Sequence, residues 1–134
     1  MPRLIHQKIM LPASPKALFK LYLDSKQHGA AIDDKVAVSR KAGSRFTAFG
    51  GMLRGKILMV VPDRMIVQSW RASSWKKYDA DSILILLFGK AAGGGRIELI
   101  QANVPDHAYA HITKGWPEHY WKPWKTYLSK RRSR

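Results

Sequence analysis

Residues 105–129 read PDHAYAHITKGWPEHYWKPWKTYLS. Tyr109, Ile112, Thr113, Trp116, Tyr120, Trp124 and Tyr127 recur there at spacings of three and four, the repeat of one helical face, and predict a long C-terminal helix with a heavy aromatic stripe. Such a stripe has to be buried against another layer. About 25 residues of helix from Asp106 span ~37 Å at 1.5 Å per residue. A strand of about ten residues spans ~33 Å, so a single helix can lie along the whole inner face of a curved sheet.

The preceding residues supply that sheet. From Lys35 onward the apolar period is roughly two, and the segments are punctuated by Gly43-Ser44, Gly50-Gly51, Pro62-Asp63 and Gly93-Gly94-Gly95. Strands are predicted at 35–41, 45–49, 52–61, 64–72, 81–90 and 95–104, with a longer loop at 72–80 carrying Trp75 and Tyr78. Connections this short force antiparallel pairing, because parallel strands need a crossover of about a dozen residues or more. Residues 4–11 form a further strand, with Ile5, Ile9 and Leu11 on one face and His6 and Lys8 on the other. Ser14 then suits an N-cap and Pro15 the first helical position, and Asp24 to Ile32 reads as a second short helix. The order is one strand, two short helices, six antiparallel strands and a long final helix.

Composition bounds the function. The 134 residues carry 24 Lys and Arg against 9 Asp and Glu, a net charge of +15, with 46% hydrophobic residues and no cysteine. Such a chain folds as one packed domain, taken as 1–129 with a basic tail at 130–134. Disulfides, thiolate metal sites and cysteine nucleophiles are excluded. The apolar runs Ile57 to Val61 and Ile83 to Phe88 are too short to span a bilayer, and His6, Gln7 and Lys8 interrupt any signal-like start. A cytoplasmic protein without membrane insertion is expected, monomeric or homodimeric.

Alternation assigns the inner faces. Arg96 and Glu98 face water, which turns Ile97, Leu99 and Gln101 inward; Arg54 and Lys56 face out, so Leu53, Gly55, Ile57 and Met59 face in. The same reasoning puts Ile66, Gln68 and Trp70 inside, with Trp116 and Tyr120 projecting onto them from the helix. Residues 82–88 are apolar on both parities, so periodicity alone leaves their inner face open.

The order and spacing of further residues resemble the START-like (SRPBCC) superfamily, in the branch named after the C-terminal domain of the activator of heat shock protein 90 ATPase. They run from Asp24-Ser25-Lys26 with His28, through Gly43 with Phe46, Phe49-Gly50-Gly51 and Gly55, to Pro62 before Ile66-Val67-Gln68-Ser69-Trp70-Arg71. Trp75, Asp81-Ser82, Val104-Pro105, Gly115-Trp116, Tyr120-Trp121-Lys122-Pro123-Trp124 and Tyr127-Leu128 complete the series. Ser44, Gln101 and Trp124 depart from the usual residues of that branch. The resemblance implies an α+β helix-grip (Bet v 1-like) fold, a sheet of about seven strands curved around the final helix. It also implies an apolar cavity between sheet and helix, and favours Leu84, Leu86 and Phe88 as inner residues. The expected ligand-binding set is Met59, Gln68, Trp70, Leu84, Leu86, Phe88, Leu99, Gln101, Trp116 and Tyr120, with the two glutamines orienting a hydrophobic or amphipathic small molecule. The alternative for the same residues is a filled core in which both amides bond to backbone or water.

Catalytic signatures are poor. His107 and His111 stand four apart on the final helix with His119 two turns on, but a zinc site needs a third ligand and the HExxH glutamate is missing. Glu98 and Glu118 are the only glutamates, the serines lack a nucleophile-elbow context, and the Gly93-Gly94-Gly95 run precedes a strand rather than a helix. Neither a metal, a cofactor nor a catalytic group is expected. The rival to small-molecule binding is an interaction module, for a chaperone or for nucleic acid. It would use Arg40, Lys41, Arg45, Arg54 and Lys56 as a patch and exposed Trp75 or Tyr78 as stacking platforms.

Overall fold

The computed structural model describes residues 2–132. Strand β1 (Arg3–Leu11) leads into helices α1 (Pro15–Leu23) and α2 (Ser25–Ile32). Ser14 caps α1 by accepting from the Ala17 N–H at 3.1 Å, and Asp24 caps α2 by accepting from the Gln27 N–H at 3.0 Å. The sheet continues through β2 (Val36–Ala37), β3 (Arg45–Ala48), β4 (Leu53–Val61), β5 (Met65–Ala72), β6 (Ser82–Ala91) and β7 (Gly94–Val104), with a tight turn at Phe49–Gly51 between β3 and β4. All seven strands form one curved antiparallel sheet in the order β1-β7-β6-β5-β4-β3-β2. The C-terminal helical run comprises α3 (Asp106–Trp116), a wider π turn at Pro117–Trp121, and α4 (Lys122–Arg132). This is the α+β helix-grip arrangement that the resemblance implies.

Four local expectations change. The predicted strand at 35–41 pairs only at Val36 and Ala37, because the Ser25 hydroxyl takes over the next backbone groups: Val38 N–H donates to it and it donates to the Val38 carbonyl. Met59 lies on the outer face, 51% exposed, rather than inside. A β-bulge places Leu58 and Met59 together opposite Val67, and the extra residue reverses which parity faces the core, so Val60 pairs with buried Ile66. Trp75 is buried against Trp70 rather than displayed for stacking, while Tyr78 is exposed at 78%. Lys130 and Arg131 belong to the last turn of α4 instead of a separate tail, and Ser133 and Arg134 lie outside the described residues.

Gly55 is explained by strand spacing. A Cβ there would sit 1.8 Å from the Ser69 carbonyl oxygen on β5, so only glycine lets these two backbones approach. Between sheet and helix the space is filled. Trp124, Tyr22, Phe19 and Phe46 are the largest fully buried side chains; Tyr22 stacks on Phe46 at 5.9 Å, and Phe19 meets Phe88 edge-on at 5.7 Å.

Candidate functional site

Of the expected binding residues, Gln68, Leu84, Leu86, Phe88, Leu99 and Gln101 all face inward as read, but into packed core. The two amides are engaged there. Gln68 Oε1 accepts from the Tyr22 hydroxyl, and its Nε2 donates to the Ser69 carbonyl at 3.1 Å. Gln101 Nε2 donates to Ser82 Oγ at 3.0 Å, its Oε1 accepts from Trp116 Nε1 at 2.9 Å, and Ser82 Oγ donates to the Trp70 carbonyl at 2.7 Å. These bonds tie β5, β6 and β7 to the final helix and satisfy polar groups that would otherwise be costly to bury.

His28 belongs to the same interior. Its Nδ1–H donates to the Tyr22 carbonyl at 2.8 Å, which leaves Nε2 to accept from the Tyr120 hydroxyl at 2.9 Å. Burial pushes its pKa down from 6.5 to about 4 and pushes the Tyr120 phenol well above its usual range, so both remain uncharged near neutrality.

A cleft opens at one end of this core. A half-open cleft of about 550 Å³ lies between α3, the Phe49–Gly51 turn and the loop after β5. Trp70, Trp116 and Tyr120 carry over from the expected set as its wall. Phe49, Met52 and Leu53 form one lip, and Ala72, Ser73, Ser74 and Trp75 the other. Along the helix Ala108, Ile112 and Gly115 line it, together with His107, His111 and His119. His107 is held by Asp79 at 2.7 Å, and Arg71 donates to the Asp79 carbonyl at 2.6 Å. His119 packs edge-on to Phe49, ring centroids 6.0 Å apart. The Trp70 indole N–H is buried without a hydrogen-bond partner among the described residues.

Sequence reading missed Phe49, Met52, Trp75, Ile112, Gly115 and the cleft-facing role of the histidines. One signal was present: His111, Gly115 and His119 follow the same helical ridge as Ile112, Trp116 and Tyr120, displaced by one residue. The two lips gave no such signal, since they come from a turn and a loop. Among the described residues no group of three His, Asp or Glu side chains is placed to hold a metal ion.

The fold and sequence match known proteins. A solved HSP90 activator from Plasmodium falciparum superposes with a TM-score of 0.82 at 19% identity, covering 96% of both chains. A protein from Mesorhizobium loti does so at 0.81 and 18%, covering 96% of this chain and 98% of that one. At these identities the likeness is one of fold. The Activator of 90 kDa heat shock protein ATPase homolog of Dictyostelium discoideum is 21% identical over 103 residues, which is 77% of this chain. The chain spans only about a quarter, 27%, of that relative's length. A family model covers residues 12–129, from the end of β1 through most of α4. The chain therefore belongs to the family described as Activator of Hsp90 ATPase homolog 1-like protein.

Proposed function

We propose that this chain is a non-catalytic binding module that takes a hydrophobic or amphipathic small molecule into the cleft beside α3. The observation that carries the reading is the cleft itself, which has the usual size for a ligand site, roughly 300–1,000 Å³, and the usual mixture of apolar wall and few polar groups. Its wall residues are held by the core network, so the site is pre-formed. A binding role without turnover is supported by the chemistry of the lining: among the described residues neither Ser73 nor Ser74 donates its hydroxyl to an imidazole, and no carboxylate lines the cleft. Native mass spectrometry of gently purified protein, followed by thermal shifts with fatty acids and aromatic polyketides, tests it. A retained small molecule or a shift that Ala72→Trp abolishes is expected; bare mass with no shift across the panel overturns the reading.

A second reading rests on the charge. The basic outer residues Arg40, Lys41, Arg45, Arg54 and Lys56, together with the family's chaperone-activator relatives, favour a role as an interaction module for an acidic protein surface such as a chaperone ATPase. Binding of that kind weakens steeply with salt, whereas an apolar ligand in the cleft responds little, so a salt titration separates the two.

A further inference from the structure

Gly115 stands in α3 where neither backbone nor packing asks for glycine. Its φ is not in the left-handed region, and a Cβ there would meet only His119 Cδ2 at 3.7 Å, an ordinary contact. Glycine inside a helix costs stability relative to alanine. What it provides is a notch on the cleft side, one turn after His111 and one turn before His119. The ring of His119 borders this notch, and His111 has no hydrogen-bond partner among the described residues.

The notch carries no fixed charge of its own. No Lys, Arg, Asp or Glu lines the cleft. From the facing elements, the Phe49–Gly51 turn presents an aromatic ring to His119, and the loop after β5 presents Ser73 and Ser74. Asp79 meets a cleft imidazole, but that imidazole is His107, and its carbonyl is held by Arg71. On the helix itself Lys114 and Glu118 flank the ridge in sequence. A cationic head would find no carboxylate at the notch. An anionic head finds imidazole N–H donors within the field of a chain of net charge +15.

The geometry points to a cleft that selects weakly acidic amphiphiles, with the carboxylate seated over Gly115 between His111 and His119 and the apolar body against Trp70, Trp116 and Tyr120. This rests on the cleft being the binding site at all. An alkyl carboxylate is ionised at neutral pH, and it accepts an N–H more strongly than a neutral hydroxyl does. Affinity for the acid therefore exceeds that for an alcohol of the same chain length.

Calorimetric titration of the full chain with decanoate, 1-decanol and decyltrimethylammonium, at neutral pH and constant ionic strength, is the test. Decanoate is expected to bind about tenfold more tightly than decanol, the size of a charge-assisted over a neutral hydrogen bond. The H111Q/H119Q double variant should bring the acid down to the affinity of the alcohol, and Gly115→Leu should block the acid while its melting curve stays cooperative. Gly115→Ala serves as the milder filling variant and should melt higher than the parent while binding decanoate more weakly. Equal affinity for acid and alcohol, tighter binding of the cation, or an acid preference that survives H111Q/H119Q overturns the proposal and leaves the cleft standing. No binding by any of the three probes overturns both this proposal and the cleft reading.

Discussion

His28 shows how one imidazole can set an acid limit on stability. The folded chain holds it neutral between the Tyr22 carbonyl and the Tyr120 hydroxyl, with its pKa lowered from 6.5 to about 4. Between those values the unfolded chain binds a proton that the folded chain refuses, so stability falls as pH drops from about 6.5 to about 4 and is fully present above that window. The loss approaches roughly 3 kcal/mol at 1.36 kcal/mol per unit. Asp24, held below its usual range first by the Gln27 N–H, belongs to a lower window, because a depressed carboxyl loses its contribution only as pH falls below 3.8. Denaturant melts across pH 7 to 4 should therefore show an early slope in the parent that His28→Gln flattens. An unchanged slope in that variant would show that the imidazole does not set the limit.

Pro117 and Gln7 illustrate repair at the scale of elements. Proline has no N–H to give the carbonyl four residues earlier, which is that of Thr113. Gln7 on β1 fills the vacancy, donating to the Thr113 carbonyl at 2.9 Å, and accepts from Trp121 Nε1 at 3.1 Å. The helix widens into its π turn there, with the Lys122 N–H reaching back to the Pro117 carbonyl. Gln7→Leu strands both groups and should cost about 1–3 kcal/mol in a denaturant melt. In a Pro117→Ala background the restored N–H can serve Thr113, so the same change should cost less, and a double-mutant cycle with no coupling would refute the repair. Element order, strand pairing and most inner faces were legible because alternation and turn residues are local signals. The Met59 error was not avoidable that way: Leu58-Met59-Val60-Val61 is apolar on both parities, and the bulge exists only in the register between β4 and β5. Gln68 and Gln101 were found inside, but their partners Tyr22, Ser82 and Trp116 come from distant parts of the chain. The cleft was illegible for a similar reason, since it depends on how the turn at Phe49–Gly51 and the loop through Trp75 fold over α3.

Across the whole molecule, charge and apolar surface share the outer side of the sheet. Met59, Val67, Ile85 and Ile100 line up in register across β4, β5, β6 and β7, ending at His6 on β1, and Met59 and Leu58 are exposed. Apolar rows on an open face invite association, while like charges on two copies oppose it. At about 1 M salt the screening length falls to about 3 Å, so light scattering should show the apparent mass rising with added salt and returning on dilution. Met59→Lys should suppress that rise, and a mass independent of salt would count against charge as the barrier.

The five tryptophans have a further consequence. Their rings form one unbroken series, Trp75 to Trp70 at 5.7 Å, Trp70 to Trp116 at 6.0 Å, Trp116 to Trp121 at 5.7 Å and Trp121 to Trp124 at 5.7 Å, with interplanar angles from 17° to 90°. Indoles this close and this rigidly skewed share their excited states, so the chain should carry a strong exciton couplet in its ultraviolet circular dichroism. Trp116→Phe, which cuts the series in the middle, should collapse the couplet far more than loss of one chromophore in five. Since Trp70, Trp75 and Trp116 also bound the cleft, the molecule possesses an intrinsic optical antenna whose handedness and amplitude should change with any molecule added to that cleft.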